Sequence, residues 1–420
     1  MGMSNAFVDL GPLRSSPAFR RLWIGRSFSE FGGQMTLIAV MYQVWQMTGS
    51  TVWTGAVGIA RTIPLVAFGL LAGSVTDRRD RRKVYLVTTS GQAACSVLLA
   101  VQGLIGHLPV LGVLSLVAAQ ACFVAAGAPA FRTFIPRLLR ARQIAAGLAL
   151  NRIAFQAAML VGPAIGGLIL GWRGVGVCYV IDAVTFVFAF SGAFGLPTMR
   201  PEGKPARSGL RGVVDGLSFL LRHPAVRGAL LADLATTVLS FPISLFPLIN
   251  AERFGNDPRT LGLFLTAIAA GGVTASIFSG AFTRSTRPGA VMLVGSAVWG
   301  AALALFGLAL NPLLGLSFLV LAGAADTVSV VSRSTIVQLH TPDELRGRVA
   351  AAEQIVGQAG PDVGNMRGGL VADAMSGRAA LLSGGLLCVA VVVLIGMRTP
   401  GLRRFTTPNM VADERLAVLS

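Results

Sequence analysis

The sequence predicts an all-α polytopic membrane protein, with twelve transmembrane helices in two pseudo-symmetric six-helix bundles. Three observations carry that prediction. Of its 420 residues, 54% are hydrophobic and only 13% charged, against roughly 25% charged in a soluble domain, and mean hydropathy is +0.70. The apolar residues gather in runs long enough for a helix to cross a hydrocarbon core, which takes ~20 residues. The charges fall in short bursts between those runs, and the pattern of the first half returns in the second.

Composition also excludes function classes. A net charge of +17 suggests nucleic acid at first sight. Its bursts between apolar runs are explained by anionic headgroups and by Lys and Arg collecting on the cytoplasmic side, so nucleic acid is not an expected partner. Cys95, Cys122, Cys178 and Cys388 lie within apolar runs without metal-ligand spacing and read as small buried residues. His107, His223 and His340 are scattered near helix ends. The chain has no Gly-x-x-x-x-Gly-Lys-Ser/Thr loop and no His-Glu-x-x-His, so neither an enzyme nor a resident metal or cofactor is expected. The first apolar stretch starts only after Arg20-Arg21 and lacks a short core before a small-residue cleavage site, so no cleaved leader is expected.

In order, Met1–Arg21 is a basic lead, placed inside by Arg14, Arg20 and Arg21. The first span, about Leu22–Met47, is unusually polar, with Arg26, Ser27, Ser29, Glu30, Gly32, Gly33 and Gln34. Thr48-Gly49-Ser50 makes a minimal outside turn. The second span, Val52–Ala72, carries Arg61 and Pro64. Gly73–Lys83 is too short for a domain and too charged for lipid, which makes it a cytoplasmic turn. Val84–Ile105 is the third span and Pro109–Pro129 the fourth, followed by a basic segment inside, Phe131–Arg142. The fifth, about Ile144–Leu170, contains Gly162-Pro163-Ala164-Ile165-Gly166-Gly167, and the sixth, Val175–Phe194, contains Asp182.

A basic linker, Arg200–Arg227, separates the halves. Its Leu210–Leu221 stretch has apolar residues at helical spacing, as suits an interfacial helix. The seventh span, about Gly228–Ile249, holds Asp233 and a break at Phe241-Pro242. The eighth runs to about Phe282, and the ninth ends at Asn311-Pro312. The tenth starts near Leu314 and contains Asp326, with Ser332–Arg348 read as an inside segment. The eleventh, about Val349–Ala372, is the weakest by hydropathy, and the twelfth is Ala379–Met397. The expected units are residues 1–199, 200–227 and 228–420, with both termini cytoplasmic. Of the basic residues, the predicted outer loops hold only Arg173, Arg253, Arg259 and Arg378.

The halves repeat: an offset of 201 residues carries Arg132-Thr133-Phe134-Ile135 onto Arg333-Ser334-Thr335-Ile336, and Gly167 onto Gly368. Gly73-x-x-x-Asp77-Arg78-x-x-Arg81-Arg82 resembles the loop between helices 2 and 3 of major facilitator superfamily transporters, with Asp80 where that pattern usually has Gly. Gly162-Pro163-x-x-Gly166-Gly167 is similar to the helix 5 motif of drug/proton antiporters. Arg26, Tyr179-x-x-Asp182, Gly323-Ala324-Ala325-Asp326, Arg333-Ser334-Thr335 and Thr341 through Arg348 resemble the enterobactin-exporter branch, close to macrolide-efflux proteins. The resemblance covers nearly the whole chain. It implies two rocking bundles, expected here as a monomer in a bacterial inner membrane, exporting a siderophore or amphipathic drug-like molecule against proton influx.

Ionisable side chains inside spans are costly and therefore candidates for function. Glu30, Asp182, Asp326 and Asp362 are the candidate proton carriers. Arg26 and Glu30, four apart, share a helix face. Arg61 is the candidate contact for an anionic group of cargo, with Glu30 as the competing partner. Arg367, Gln34, Tyr42, Phe155, Phe186 and Phe241 are further candidate charge partners or cargo contacts. Asp233 and Glu353, near helix ends, read as structural. An importer or facilitator of a small metabolite and a non-transporting membrane sensor are the alternatives.

Overall fold

The computed structural model describes residues 9–76, 79–106, 108–200, 210–283, 285–342 and 345–406. Its long helices are α1 (Pro17–Thr48), α2 (Thr51–Thr76), α3 (Arg81–Ile105), α4 (Val110–Arg132), α5 (Ile144–Arg173), α6 (Val175–Phe194), α7 (Pro224–Ser240, resumed as Phe246–Arg253), α8 (Pro258–Ile277), α9 (Pro288–Phe306), α10 (Pro312–His340), α11 (Arg346–Ala374) and α12 (Gly377–Arg398). Among the described residues, ten helices are long and apolar enough to cross a membrane. The two that miss that mark, α1 and α11, have 32 and 29 residues, or about 48 and 43 Å at ~1.5 Å per residue. Their polar residues, not their length, hold them below it.

The helices alternate in direction, so their ends form two faces. One, the turn face, carries the short connections at Gly49, Gly106 and Gly174. The first two are left-handed caps with φ of 60° and 77°, which glycine adopts without a Cβ penalty. The other, the basic face, carries the longer arginine-rich connections and a linker helix, Leu210–Arg222.

Several boundaries differ from the sequence reading, each for a local reason. The Gly73–Lys83 stretch is mostly helical. α2 continues through Gly73 to Thr76, and Arg81, Arg82 and Lys83 open α3; Asp77 and Arg78 lie outside the described residues, as does Arg284. Asp80 accounts for the early start of α3. Its carboxylate accepts from Arg82 N at 3.0 Å, the N-cap bond, and from Met199 N at 3.1 Å. Asp80, standing where the resembled pattern has Gly, thus fastens the segment after α6 to the start of α3. α1 begins at Pro17 rather than Leu22 because Ser16 caps it, accepting from Phe19 N at 3.2 Å. The inside segment that the sequence starts at Ser332 is a continuation of the helix as far as His340, so Arg333 belongs to α10.

Two contacts of small residues join the bundles. In the first, α2 meets α11. A Cβ on Gly55 would lie 2.9 Å from Asn365 O, and one on Gly58 would lie 2.6 Å from Asp362 Oδ1. Thr51 Oγ1 donates to Gly369 O at 2.7 Å, and Thr62 Oγ1 donates to Asp362 Oδ2. In the second, α5 meets α8, where a Cβ on Gly167 would lie 2.8 Å from Pro258 O and 3.0 Å from Gly262 Cα.

The apolar core records the same geometry. One cluster runs through both bundles, but its members from the first bundle all come from the turn-face half, such as Val44, Val57, Leu99, Val113, Leu170 and Tyr179. At the basic face the first bundle has its own clusters, around Leu22, Tyr85 and Phe134 and around Phe19 and Leu150. A separate one in the second bundle holds Leu220, Val226, Val337 and Val349. The bundles are therefore fused at the turn face and parted at the basic face.

Candidate functional site

The space between the parted halves is the candidate site. A Cβ on Gly33 of α1 or Gly357 of α11 would meet no atom within 4 Å, so both helices border open volume. Arg61 marks its apex. It is exposed, one position from Thr62, where the α2–α11 seam ends. Its charge acts on Asp362 of the other bundle, whereas the sequence offered Glu30 as a partner.

Glu30 is already taken. Arg26 Nε donates to Glu30 Oε1 at 2.6 Å, and a second guanidinium nitrogen lies 2.5 Å from the same oxygen. The i, i+4 spacing makes this pair. The Arg26 guanidinium also stacks on Phe131 of α4, 4.4 Å from the ring centroid.

The second bundle holds a denser cluster. Arg333 of α10 donates to Asp233 of α7, and Arg333 Nε lies 4.0 Å from Glu353 of α11. Asp326, two turns before Arg333 on α10, feels the charges of both Asp233 and Arg333. Three carboxyls thus gather about one guanidinium, drawn from three helices. Ending the tenth span before Ser332 hid this cluster. The signal was present as spacing, because Asp326 and Arg333 are seven apart and so share a helix face.

Other candidates are placed elsewhere. Asp182 is 1% exposed inside the first bundle, its Oδ2 accepting from Ser96 Oγ at 2.7 Å, while Ser96 Oγ accepts from Gln120 Nε2 at 3.0 Å. Its other oxygen faces the backbone of α1, where a Cβ on Gly32 would lie 2.5 Å away. Arg367 donates to Leu239 O, so it caps the carbonyl end of α7 where Phe241-Pro242 interrupts the helix. Phe186 is buried, and Phe241 stacks on Trp299 with centroids 6.1 Å apart. Tyr42 packs on the shared core. Phe155 is half-buried beneath the Arg152 guanidinium, 5.9 Å from its centroid.

The helix 5 motif divides its work. Gly162 and Gly166 face α1, with Cβ positions 2.7 Å from Gln34 Cβ and 3.1 Å from Met35 Cα, whereas Gly167 faces Gly262 of the other bundle. Pro163 joins that second contact through its carbonyl, which lies against Gly262. Among the described residues, no group of three or more His, Cys, Asp or Glu side chains is placed to hold a metal ion.

Comparison with known proteins follows the same lines. The enterobactin exporter EntS of Escherichia coli strain SMS-3-5 is 28% identical over 419 residues, covering 99% of this chain and 100% of that protein. The enterobactin exporter EntS of Shigella boydii serotype 18 matches to the same extent. Among solved structures, a POT family transporter in complex with 5-aminolevulinic acid aligns with a TM-score of 0.74 at 11% identity, over 93% of this chain and 97% of that one. A bacterial homologue of the iron transporter ferroportin in an inward-facing state aligns with a TM-score of 0.67 at 14% identity, over 92% and 99%. These relatives and fold neighbours are transporters, not enzymes. The profile of the family described as transmembrane secretion effector matches residues 8–417, and the chain belongs to that family, within the major facilitator superfamily of secondary transporters.

Proposed function

We propose that this protein exports a siderophore or a similar amphipathic small molecule from the cytoplasm by alternating access, driven by protons moving inward. The observation that carries the reading is the division of the core, fused between bundles at the turn face and parted at the basic face. A cleft open at one end is the loading state of such a transporter. The basic face is cytoplasmic in this reading, because arginine collects there, and both termini lie on that side of a bacterial inner membrane. The working unit is a monomer, since each half supplies one wall of the cleft.

Cargo meets Arg61 at the apex, with Arg26 and Phe155 on the walls. Proton coupling falls to Asp326 with Asp233, Glu353 and Arg333, and to Glu30 beside Arg26. Asp362 sits in the seam, where its ionisation changes how firmly α2 and α11 close. Likeness to relatives named as enterobactin exporters supports a siderophore as cargo. The test is accumulation of siderophores and of toxic amphipathic compounds in a deletion strain carrying the gene, with and without an uncoupler. Export that stops when the proton gradient is dissipated is expected. Full export without a gradient, together with full activity of Asp326→Asn, overturns the reading.

A further inference from the structure

We propose that the groove between α7 and α12 is a binding site for one anionic phospholipid, with an acyl chain along the groove and the phosphate held by Arg227 and Arg398.

The groove follows from where the two helices can touch. They meet at two places, each over a glycine. Near the basic face, a Cβ on Gly228 of α7 would lie 3.0 Å from Thr399 Cγ2, directly past the end of α12. Farther along, a Cβ on Gly384 of α12 would lie 2.5 Å from Leu239 O of α7. Between those contacts neither helix offers the other a glycine, since Gly385 faces α9, and branched side chains hold the backbones apart. What remains is a cavity of about 390 Å³, lined by Leu231, Leu234, Val238 and Leu239 of α7 and by Val391 and Ile395 of α12. From Leu231 to Leu239 it runs about 12 Å, at ~1.5 Å per residue. In the first bundle, by contrast, Gly25, Gly32 and Gly192 draw α1 and α6 together along their length.

The groove opens to the membrane, not to the cleft. The polar side chains of α7, Asp233, Thr236 and Ser240, are buried on its opposite side. α12 packs on α7, α9 and α11 of its own bundle, and Leu231 is 44% exposed.

Two arginines stand at its basic-face end. Arg227 precedes Leu231 by one turn and Arg398 follows Ile395 by one turn, so each lies on the groove side of its helix. The Gly228–Thr399 contact draws their neighbouring positions together. Both are exposed, and among the described residues neither guanidinium has an ion-pair or hydrogen-bond partner. Arg227 also sits in the first turn of α7, which holds no acidic residue. The helix dipole disfavours a cation there and favours an anion. Paired guanidiniums suit a phosphate, and basic sites between spans on the cytoplasmic side hold anionic headgroups. A free phosphate would leave the apolar slot unfilled, and a zwitterionic headgroup brings a cation that the arginines repel. The bound lipid braces α12 against α7 below the break at Phe241-Pro242. This site needs only that α7 and α12 cross a membrane, so it stands apart from the export reading.

The test is thermal unfolding of the purified full chain in detergent, with dioleoyl phosphatidylglycerol, dioleoyl phosphatidylcholine or inorganic phosphate added at equal concentration. Phosphatidylglycerol is expected to raise the melting temperature by roughly 2–4 °C over phosphatidylcholine, as a ligand that binds the folded state does. Arg227→Gln with Arg398→Gln should abolish that difference. Arg140→Gln with Arg142→Gln, which removes two exposed cations from the first bundle, should keep it. Val238→Phe, which fills the slot and leaves both arginines in place, should cut the shift at least twofold. Native mass spectrometry of the same samples should retain one phosphatidylglycerol on the parent and none on the Arg227→Gln, Arg398→Gln variant, a readout that holds even where a substitution lowers stability. An equal shift with phosphatidylcholine or with phosphate overturns the proposal. So does an equal loss in the Arg140→Gln, Arg142→Gln variant, or a full shift in Val238→Phe.

Discussion

Thr62 of the first bundle donates its hydroxyl proton to Asp362 of the second. One turn nearer the turn face, Gly58 brings its backbone against the same carboxyl. One position away, Arg61 stands in the open. Closed seam and open cleft therefore meet at a single charged residue, and the predictions start there.

Gly58→Leu should prise α2 from α11, because even a Cβ there would lie 2.6 Å from Asp362 Oδ1. Overpacking of this kind costs about 1–3 kcal/mol. Here it acts only on the state closed at the turn face. The expected outcome is transport reduced by about tenfold or more, as ~1.4 kcal/mol implies, with normal membrane insertion. Cargo accumulation and protein level in the same cells measure both.

Gly167→Leu and Gly262→Leu test the matching seam. Each glycine leaves room for the other's backbone at about 3.0 Å. Either substitution should abolish closure of the turn face and expose it to thiol reagents applied from that side. Full transport in both would show that α5 and α8 do not need this approach.

Asp182→Asn should retain export within about twofold, since an amide can still accept from Ser96 and fill the same volume. Asp182→Ala should lower stability by about 1–3 kcal/mol, the cost of leaving buried partners unpaired. Thermal unfolding in detergent distinguishes them. Loss of gradient-driven export in a stable Asp182→Asn protein would return this residue to the coupling machinery.

Arg333→Ala should destabilise by about 3–5 kcal/mol, because it leaves Asp233 buried and unpaired. Asp233→Asn with Arg333→Gln should recover much of that stability while export no longer responds to the proton gradient. A double variant that remains gradient-driven would place coupling outside the cluster.

Asp80→Ala removes a helix cap and its tie to Met199, and should cost about 1–2 kcal/mol. Asp80→Asn should cost less, since its side-chain oxygen still accepts from Arg82 N. Melting temperature measures both.

Hydropathy and charge placement made the spans legible, because lipid imposes that pattern on any sequence that crosses it. The two weakest spans, α1 and α11, fall short of that pattern because they border the cleft, where polar side chains are tolerated. Pairing was harder to read. Arg26 and Glu30 are four apart on one helix, so periodicity alone joined them. Asp233, Arg333 and Glu353 come from three helices, and no local rule brings them together. Arg367 read as a candidate charge partner or cargo contact, and its actual partner is a carbonyl, Leu239 O, which every residue carries and no side-chain pattern marks. Asp80 shows the reverse case, where a departure from an expected glycine marked a cap.

The apolar core shared by both bundles at the turn face sets an energetic ranking of shapes. Opening that face strips packed side chains such as Val44, Val57, Phe246 and Phe264 from one another, at roughly 25 cal/mol for each Å² laid bare. Closing the basic face must return a comparable sum. The seam at the turn face and the parting at the basic face are thus two ends of one balance, and any reagent that wedges the first should favour the closure of the second.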